Sequence, residues 1–444
     1  MRIKFLKVRL SSFQLVILGF WGVILIGTLL LMLPVSSISG IGASFENALF
    51  TATSAVCVTG LVVQDTATHW SYFGQAVILL LIQIGGLGVV GVTAFIATVA
   101  GKKITLLQRS MLQESYCAHQ IGGIVRITGF IFRSVIIVEL IGAAALMPTF
   151  CKEYGVKGIW MSVFHSISAF CNAGFDLMGD KTGPFTSLTY FAGNFGIVIP
   201  ICLLIIVGGI GFMTWDDIAV HGSNFKRYRM QSKVVLVTTI ILVLIPASIL
   251  FFSDYSGYDY KERVFLSLFQ AVTPRTAGFN TSDMASLSGL GRILVVSLML
   301  IGGSPGSTAG GMKTTTVAVL AANAVAVFHR RKDARLFDRN IEASAIGTAS
   351  TLMMMYVFLT IFGAAVISVS DNLPIGVCIF EAASAIGTVG LSIGITPSLG
   401  IVSHFMLIVL MFLGRVGGLT LLFAAIRSTG IEVSHYPVEK INVG

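Results

Sequence analysis

Eight long runs of apolar residues are the strongest constraint on what this chain can fold into. They fall near 13–35, 72–99, 127–150, 186–215, 233–252, 289–328, 345–368 and 399–424. A helix needs about 20 apolar residues to cross the hydrocarbon layer of a bilayer. Charged residues make up only 11% of the chain, too few to cover a soluble fold. The sequence predicts an all-α integral membrane protein with eight transmembrane helices.

Basic residues mark every second connection between these runs. They occupy the N-terminal tail, Lys102–Arg109, Lys226–Arg229 and Arg330–Arg339. Since connections rich in Lys and Arg stay on the cytoplasmic side, we expect a multi-pass protein of the cell (plasma) membrane with both termini cytoplasmic. The cytoplasmic connections then account for the net charge of +9, and we expect no nucleic acid partner.

Each external connection carries a short apolar segment that ends in a glycine motif. The segments cover 50–61, 164–175, 269–279 and 380–391. A phenylalanine stands ten residues before the glycine in three copies and nine before it in the third, so the third copy has lost a residue or has a shifted helix. Segments this short suit re-entrant helices.

The recurrence of this pattern predicts four internal repeats. Each repeat has an outer span, a re-entrant pore helix and an inner span (M1-P-M2), and the four re-entrant segments can converge around one pseudo-four-fold pore. We place the repeats at 1–110, 120–228, 229–338 and 339–430, with a C-terminal tail at 431–444.

Four converging loops of this kind suit a cation pathway. Backbone carbonyls can replace the hydration shell of an ion, and glycine reaches the positive φ that such a backbone needs. The C-terminal ends of the pore helices would add partial negative charge. The candidate selectivity filter comprises Val58, Thr59, Gly60, Asn172, Ala173, Gly174, Thr276, Ala277, Gly278, Thr388, Val389 and Gly390.

These motifs resemble the four filter segments of the Trk, Ktr and HKT superfamily of potassium transporters. The resemblance covers nearly the whole chain, from about residue 12 onward, and implies a potassium-channel-like fold in which four channel subunits are fused into one chain. A glycine at all four filter positions, Gly60 included, implies selectivity for potassium bound at the filter carbonyls. The first span begins near residue 13 and the tail ends in Tyr436 to Gly444, features more similar to the Ktr membrane subunit than to Trk subunits.

The sixth run is interrupted by a stretch rich in glycine and serine at 302–313. Pro305 and five glycines make a regular helix implausible, and irregular backbone at membrane depth must line a cavity or pack in protein. The resemblance implies an intramembrane gate, formed by Gly302, Gly303, Ser304, Gly306, Ser307, Thr308, Gly310, Gly311 and Lys313. A phosphate loop is the competing interpretation, but Met312 interrupts its pattern and no strand precedes it.

Arg415 lies inside the eighth run, where a charge is costly. The resemblance gives it a place below the filter, beside the gate. A structural alternative is that Arg415 caps backbone carbonyls of the broken sixth helix. Asp65, Asp176 and Asp283 follow their filter glycines and either attract cations to the pore or are ordinary loop charges.

The resemblance also implies partners. Ktr-like membrane subunits form homodimers on a cytosolic ring of nucleotide-binding RCK subunits, for which the basic loops are candidate docking surfaces. No cofactor is expected in this chain. Potassium is the transported ion, and sodium as an activator is left open. The alternative function is an alternating-access carrier coupled to sodium or protons, which would more often show two inverted repeats and acidic residues within spans.

Overall fold

The computed structural model describes residues 12–102, 104–117 and 122–417. Four long apolar helices within these residues each have the length and hydropathy to cross a membrane. They are the outer helices of the four repeats, and they begin the repeats in chain order: Ser12–Leu31, Ile124–Tyr154, Met230–Phe252 and Ala343–Asp371.

A shorter pore helix follows each outer helix and packs against it. The four pore helices are Phe45–Val56, Lys157–Phe170, Tyr260–Val272 and Ile375–Ile386. At 12 to 14 residues they are too short to span a bilayer. The repeated phenylalanines Phe50, Phe164, Phe269 and Phe380 are at most 1% exposed, so the sequence repeat marks the centre of the core.

The inner helices pack against the pore helices, and the first three are bent or interrupted. The first is Tyr72–Leu87 with Val89–Val99, the second Phe195–Gly209 with Phe212–His221, and the third Gly289–Leu300 with Thr314–Phe328. The fourth is Ile401–Val416. The predicted run 399–424 extends past the described residues at 418–424.

The runs 72–99 and 186–215 are each predicted as one span, and the structure shows a sharp bend within each of them. The first inner helix bends by 96° and the second by 95°. Gly88 and Gly211 make these bends with φ of 80° and 88°, values that residues with a Cβ rarely adopt. Counting each bent pair as one span gives up to six spans by length and composition; the other two inner helices are shorter or interrupted.

Short elements complete the described chain. The α-helices are Thr66–His69, Leu106–Tyr116 and Gly179–Thr182, and the 3-10 helices are Pro34–Ser36, Ser187–Phe191, Phe225–Arg227, Met284–Ser286 and Thr396–Ser398. A hairpin pairs the two-residue strands Arg335–Leu336 and Arg339–Asn340. The prediction of a helical membrane protein with four M1-P-M2 repeats is confirmed.

Candidate functional site

The four predicted filter segments share one backbone conformation. The first residue of each segment has a left-handed φ: Val58 57°, Asn172 59°, Thr276 69° and Thr388 50°. The glycine at the third position is also left-handed, with φ of 90° at Gly60, 71° at Gly174, 80° at Gly278 and 90° at Gly390. Three of the four first residues are β-branched, for which positive φ is a genuine outlier. A left-handed residue on each side of the middle one thus distinguishes all four segments from an ordinary strand or helix.

A serine at the end of the pore helix fixes this conformation in the first and fourth repeats. The Ser54 carbonyl accepts from Thr59 N at 2.8 Å, and its hydroxyl accepts from Gly60 N at 3.1 Å. Ser384 makes the same pair of bonds to Val389 and Gly390, at the same distances. These bonds hold the two residues that follow the left-handed first residue of each segment.

The third repeat differs because it lacks one residue before the filter. Ala277 N donates to Thr273 O, four residues back, at 2.9 Å, whereas Ala173 N reaches Ser168 O, five residues back, at 2.8 Å. The Thr273 hydroxyl donates to Phe279 O, as Ser168 donates to Phe175 O. The third pore helix ends at Val272, with three residues between it and Thr276, whereas one residue separates helix and filter in the other repeats. The missing residue is therefore lost from the helix, and the filter residues themselves keep the same backbone conformation.

The four glycines close these segments into a ring. A Cβ built on Gly60 would lie 2.4 Å from Ala173 O, and one on Gly390 would lie 2.1 Å from Thr59 O. A Cβ on Gly174 would lie 2.6 Å from Ala277 O, and one on Gly278 would lie 2.5 Å from Val389 O. Each glycine therefore packs on the middle carbonyl of the next repeat, and the fourth repeat returns to the first. No side chain fits at these positions without moving the neighbouring segment.

The outer side of this ring opens into a cavity of about 120 Å³, lined by all four filter glycines and by Asp65 and Asp176. Burial, followed by the nearby Asp65 carboxylate, raises the pKa of Asp176 to about 7. Asp65 accepts from Thr68 N at 2.9 Å and from Phe185 N at 3.1 Å. Asp283 is not part of this lining and caps the helix Met284–Ser286. Two of the three predicted acidic residues thus lie at the mouth.

The predicted gate segment forms a compact loop on the inner side of the ring. It leaves the third inner helix after Leu300 and returns at Thr314, and a bridge between Ile301 and Met312 closes its ends. Gly303 O accepts from Thr314 N at 2.9 Å, and a Cβ on Gly302 would lie 2.5 Å from Gly310 O.

The loop is anchored to the second repeat. Ser304 N donates to Gly209 O at 3.0 Å and Phe212 N donates to Gly306 O at 2.8 Å. The Thr308 hydroxyl lies 3.0 Å from Phe170 O and 3.2 Å from Asn172 Oδ1. Phe170 ends a pore helix and Asn172 begins a filter segment, so the loop is tied directly to the filter.

The other side of the loop lies against the fourth filter segment. A Cβ on Gly310 would lie 2.1 Å from the Thr388 hydroxyl, and one on Gly311 would lie 2.8 Å from Gly387 O. The Ser307 hydroxyl bonds within the loop, to Ser304 O at 2.7 Å. The loop therefore crosses below the ring from the second repeat to the fourth.

Arg415 and Lys313 lie beside this loop and line one cavity of about 420 Å³ with Gly306, Ser307 and Ala309. The Arg415 guanidinium donates to Thr308 O in the loop and to Gly85 O and Gly86 O of the first inner helix. Lys313 Nζ donates to Ala309 O at 2.9 Å and to Gly310 O at 3.2 Å. Arg415 thus caps carbonyls of the loop that interrupts the sixth run and of the first inner helix.

Several polar groups outside the filter segments have partners that sequence reasoning left unnamed. Gln83 Nε2 donates to Glu139 Oε2 at 3.2 Å. Glu381 accepts from the Thr396 hydroxyl at 2.7 Å, and His165 Nε2 accepts from Leu177 N at 3.3 Å. Glu46 contacts His404 at 2.7 Å.

Sequence reasoning missed the glycine at which the first, second and fourth inner helices meet their pore helices. A Cβ on Gly85, Gly208 or Gly414 would lie within 2.1 Å of Val56 O, Phe170 O or Ile386 O respectively, and each of these carbonyls ends a pore helix. The signal was present, since Gly-Gly-Leu-Gly88, Gly-Gly-Ile-Gly211 and Gly-Arg-Val-Gly417 align. In that alignment Arg415 takes the place of a glycine.

Comparison with known proteins agrees with this geometry. The sequence model of the TrkH family, described as cation transport protein, matches residues 11–430. The chain is similar to the potassium/sodium uptake protein NtpJ of Enterococcus hirae, with 39% identity over 99% of both chains. It is 36% identical to the Ktr system potassium uptake protein B of Bacillus subtilis, over 98% of both chains.

Its fold is similar to the crystal structure of the potassium transporter TrkH from Vibrio parahaemolyticus. The TM-score is 0.75 with 18% identity, covering 96% of this chain and 87% of that one. The resemblance noted from the filter motifs is confirmed, and the chain belongs to the TrkH family of cation transport proteins, which are transporters and not enzymes.

Proposed function

We propose that this chain is the potassium-selective membrane subunit of a Ktr-like potassium uptake system. The observation that carries the proposal is the closed ring of four filter segments, in which each glycine packs on a carbonyl of the next repeat. A dehydrated cation requires oxygen ligands at fixed positions, and the carbonyls of Thr59, Ala173, Ala277 and Val389 lie at equivalent positions around such a ring.

Two further features support a pore for cations. The C-terminal ends of all four pore helices lead into the filter segments, where their dipoles favour positive charge. The Thr388 hydroxyl is buried against Gly310 of the gate loop and has no hydrogen-bond partner among the described residues, so movement of the loop would expose it to an ion at the inner end of the filter.

The loop at 302–313 acts as the gate in this proposal. It lies between the filter ring and the cavity below, and Arg415 holds it to the first inner helix. A fixed cation beside the permeation path opposes a permeating cation until the loop and arginine move. Opening therefore requires the loop to give up its hydrogen bonds to the second repeat.

The setting of the pore is part of the same proposal. The chain lies in the plasma membrane with both termini in the cytoplasm, forms a homodimer, and is regulated by a cytosolic ring of RCK subunits. The similarity to a potassium/sodium uptake protein supports testing sodium as an activator.

Reconstitution in liposomes tests the proposed function. The purified chain, alone and with a cytosolic RCK partner, is assayed for potassium and sodium flux under matched gradients. Potassium flux well above sodium flux, raised by Arg415→Ala without a change in ion preference, supports a gated potassium pore. Solute-dependent flux at a fixed stoichiometry would instead establish a coupled carrier.

A further inference from the structure

An apolar groove separates the third outer helix from the lower half of the third inner helix, away from the filter. The cavity measures about 460 Å³ and is lined by Val234, Val237, Ile241, Ala318, Ala321 and Val325, among others. Alanines on the inner helix leave the space that larger side chains would fill. Ile241 is 48% exposed and Val325 50% exposed, so the groove is open sideways to the bilayer.

A basic basin adjoins the end of this groove. It measures about 510 Å³ and is lined by Lys226, Arg227, Arg229, Lys233 and Arg339, together with Tyr228 and Asn340. Arg229 pairs with Asp216 and Asp217. Within the described part of the chain, no ion pair involves Lys226, Arg227, Lys233 or Arg339. Lys233 Nζ donates to Lys226 O at 2.9 Å, and none of the four charges is neutralised by a carboxylate there.

Phe337 joins the two spaces, because it lines both the groove and the basin. It lies at the tip of the hairpin with φ of 46°, a strained value for a bulky residue, and its ring contacts Phe225 edge-on at 6.2 Å. The groove is also lined by Arg331, Asp333 and Arg335 of the same hairpin region, so the net charge of its rim is positive. Groove and basin thus form one amphipathic site.

We propose that this groove and basin bind an anionic phospholipid of the cytoplasmic leaflet, with an acyl chain in the groove and the phosphate in the basin. The groove begins at the basic end of the third outer helix, where the headgroups of that leaflet lie. A second copy of this chain fits less well, because a two-fold interface would bring the same basic patch against itself.

The test measures retention of phosphatidylglycerol and phosphatidylcholine by the purified full chain in native mass spectrometry. The double variant Lys226→Gln/Arg339→Gln neutralises the basin. Its matched control, Arg330→Gln/Lys332→Gln, removes the same charge from residues that do not line either cavity. We expect preferential retention of phosphatidylglycerol, lowered roughly five-fold for each basin charge removed and unchanged in the control.

A second pair of variants tests the groove. Ala321→Phe fills it, whereas Ala324→Phe adds the same bulk to an exposed residue of the same helix outside the lining. Loss of lipid retention in the first variant alone supports the proposal. The proposal would be overturned if the protein retained both lipids equally, or if the paired variants had equal effects. It would also be overturned if Ala321→Phe removed the mass of a dimer and left lipid retention unchanged. Because binding is measured directly, the result does not depend on which ion the pore conducts.

Discussion

At the scale of single residues, the filter depends on backbone positions that most side chains cannot occupy. Val58, Thr276 and Thr388 are β-branched yet left-handed, each at a cost of order 1–3 kcal/mol. Hydrogen bonds from the pore-helix ends and contact with the next repeat offset that cost. The strain is therefore located at the residues proposed to contact the ion.

Gly60→Ser tests this geometry. A serine Cβ would meet Ala173 O at a φ of 90°, so the first and second segments must separate. We expect potassium-over-sodium discrimination to fall roughly tenfold, a loss of about 1.4 kcal/mol, in paired liposome flux assays. Gly40→Ser is the control, since Gly40 has a φ of 70° but no atom within 4 Å of its Cβ position. Unchanged discrimination in Gly60→Ser would remove Gly60 from the filter.

Asp176 predicts a pH dependence of uptake. With a pKa raised to about 7, its carboxyl is neutral below that pH and negative above it. Lowering the external pH from about 8 to about 6 removes a charge that concentrates cations at the mouth, so we expect uptake to fall roughly two- to three-fold. Uptake by the Asp176→Asn variant should be slow and should not change over this pH range. If Asp283→Asn flattened the profile instead, the assignment to Asp176 would be wrong.

At the scale of elements, the interruptions of the inner helices are the places where the backbone can most easily change conformation. The third inner helix is replaced over 302–313 by a loop held mainly by single hydrogen bonds to its neighbours. Breaking a few such bonds costs far less than unwinding a helix. This loop is accordingly the element in which a conformational change would meet the least resistance.

Thr308→Val tests the loop as a gate. The substitution keeps the shape of the side chain but removes the hydroxyl that contacts Phe170 O and Asn172 Oδ1. Loss of one tether of about 1 kcal/mol should raise basal potassium flux roughly five-fold. Ser307→Ala removes a hydroxyl bonded only within the loop and should leave flux unchanged. Lower flux in a folded Thr308→Val protein would contradict the gate assignment.

The bends at Gly88 and Gly211 form a natural pair for measuring stability. Gly88 has open space around its Cβ position, so Gly88→Ala adds backbone strain alone, about 1–3 kcal/mol. A Cβ on Gly211 would also lie 2.5 Å from Pro305 O of the gate loop. Thermal unfolding in detergent should show a larger loss of stability for Gly211→Ala. Equal losses would mean that the second inner helix does not pack on the loop as described.

At the scale of the whole molecule, the fold is a closed ring. Each inner helix contacts its own pore helix and that of the next repeat, and the fourth inner helix contacts the first pore helix. A pair of side chains marks this last junction, because His404 Nδ1 lies 2.7 Å from Glu46 Oε1 and His404 Nε2 lies 2.9 Å from Thr396 O.

Glu46→Ala tests ring closure. It removes a hydrogen bond that joins the first and last repeats, and a partly exposed bond of this kind contributes about 1 kcal/mol. We expect a lower unfolding temperature for Glu46→Ala and little change for Glu46→Gln, which keeps an oxygen facing His404. A matching loss in both variants would show that charge, and not the hydrogen bond, stabilises the junction.

The sequence by itself determined the class of protein, the four repeats, the filter segments and the interrupted sixth run. These follow from local patterns, since apolar length, repeated glycines and a proline-containing loop act over a few residues. The predicted filter and gate residues lie together in the structure, although their roles remain proposals.

Only the tertiary structure decided how the parts meet. The bends at Gly88 and Gly211 depend on backbone angles within an apolar run. The partners of Arg415 and the position of Asp176 in the mouth depend on residues more than a hundred positions away. Hydropathy does not distinguish a straight helix from one broken at a glycine, because both bury the same side chains. Contacts between repeats arise only once the ring has closed, since each glycine is fixed by a carbonyl of the next repeat.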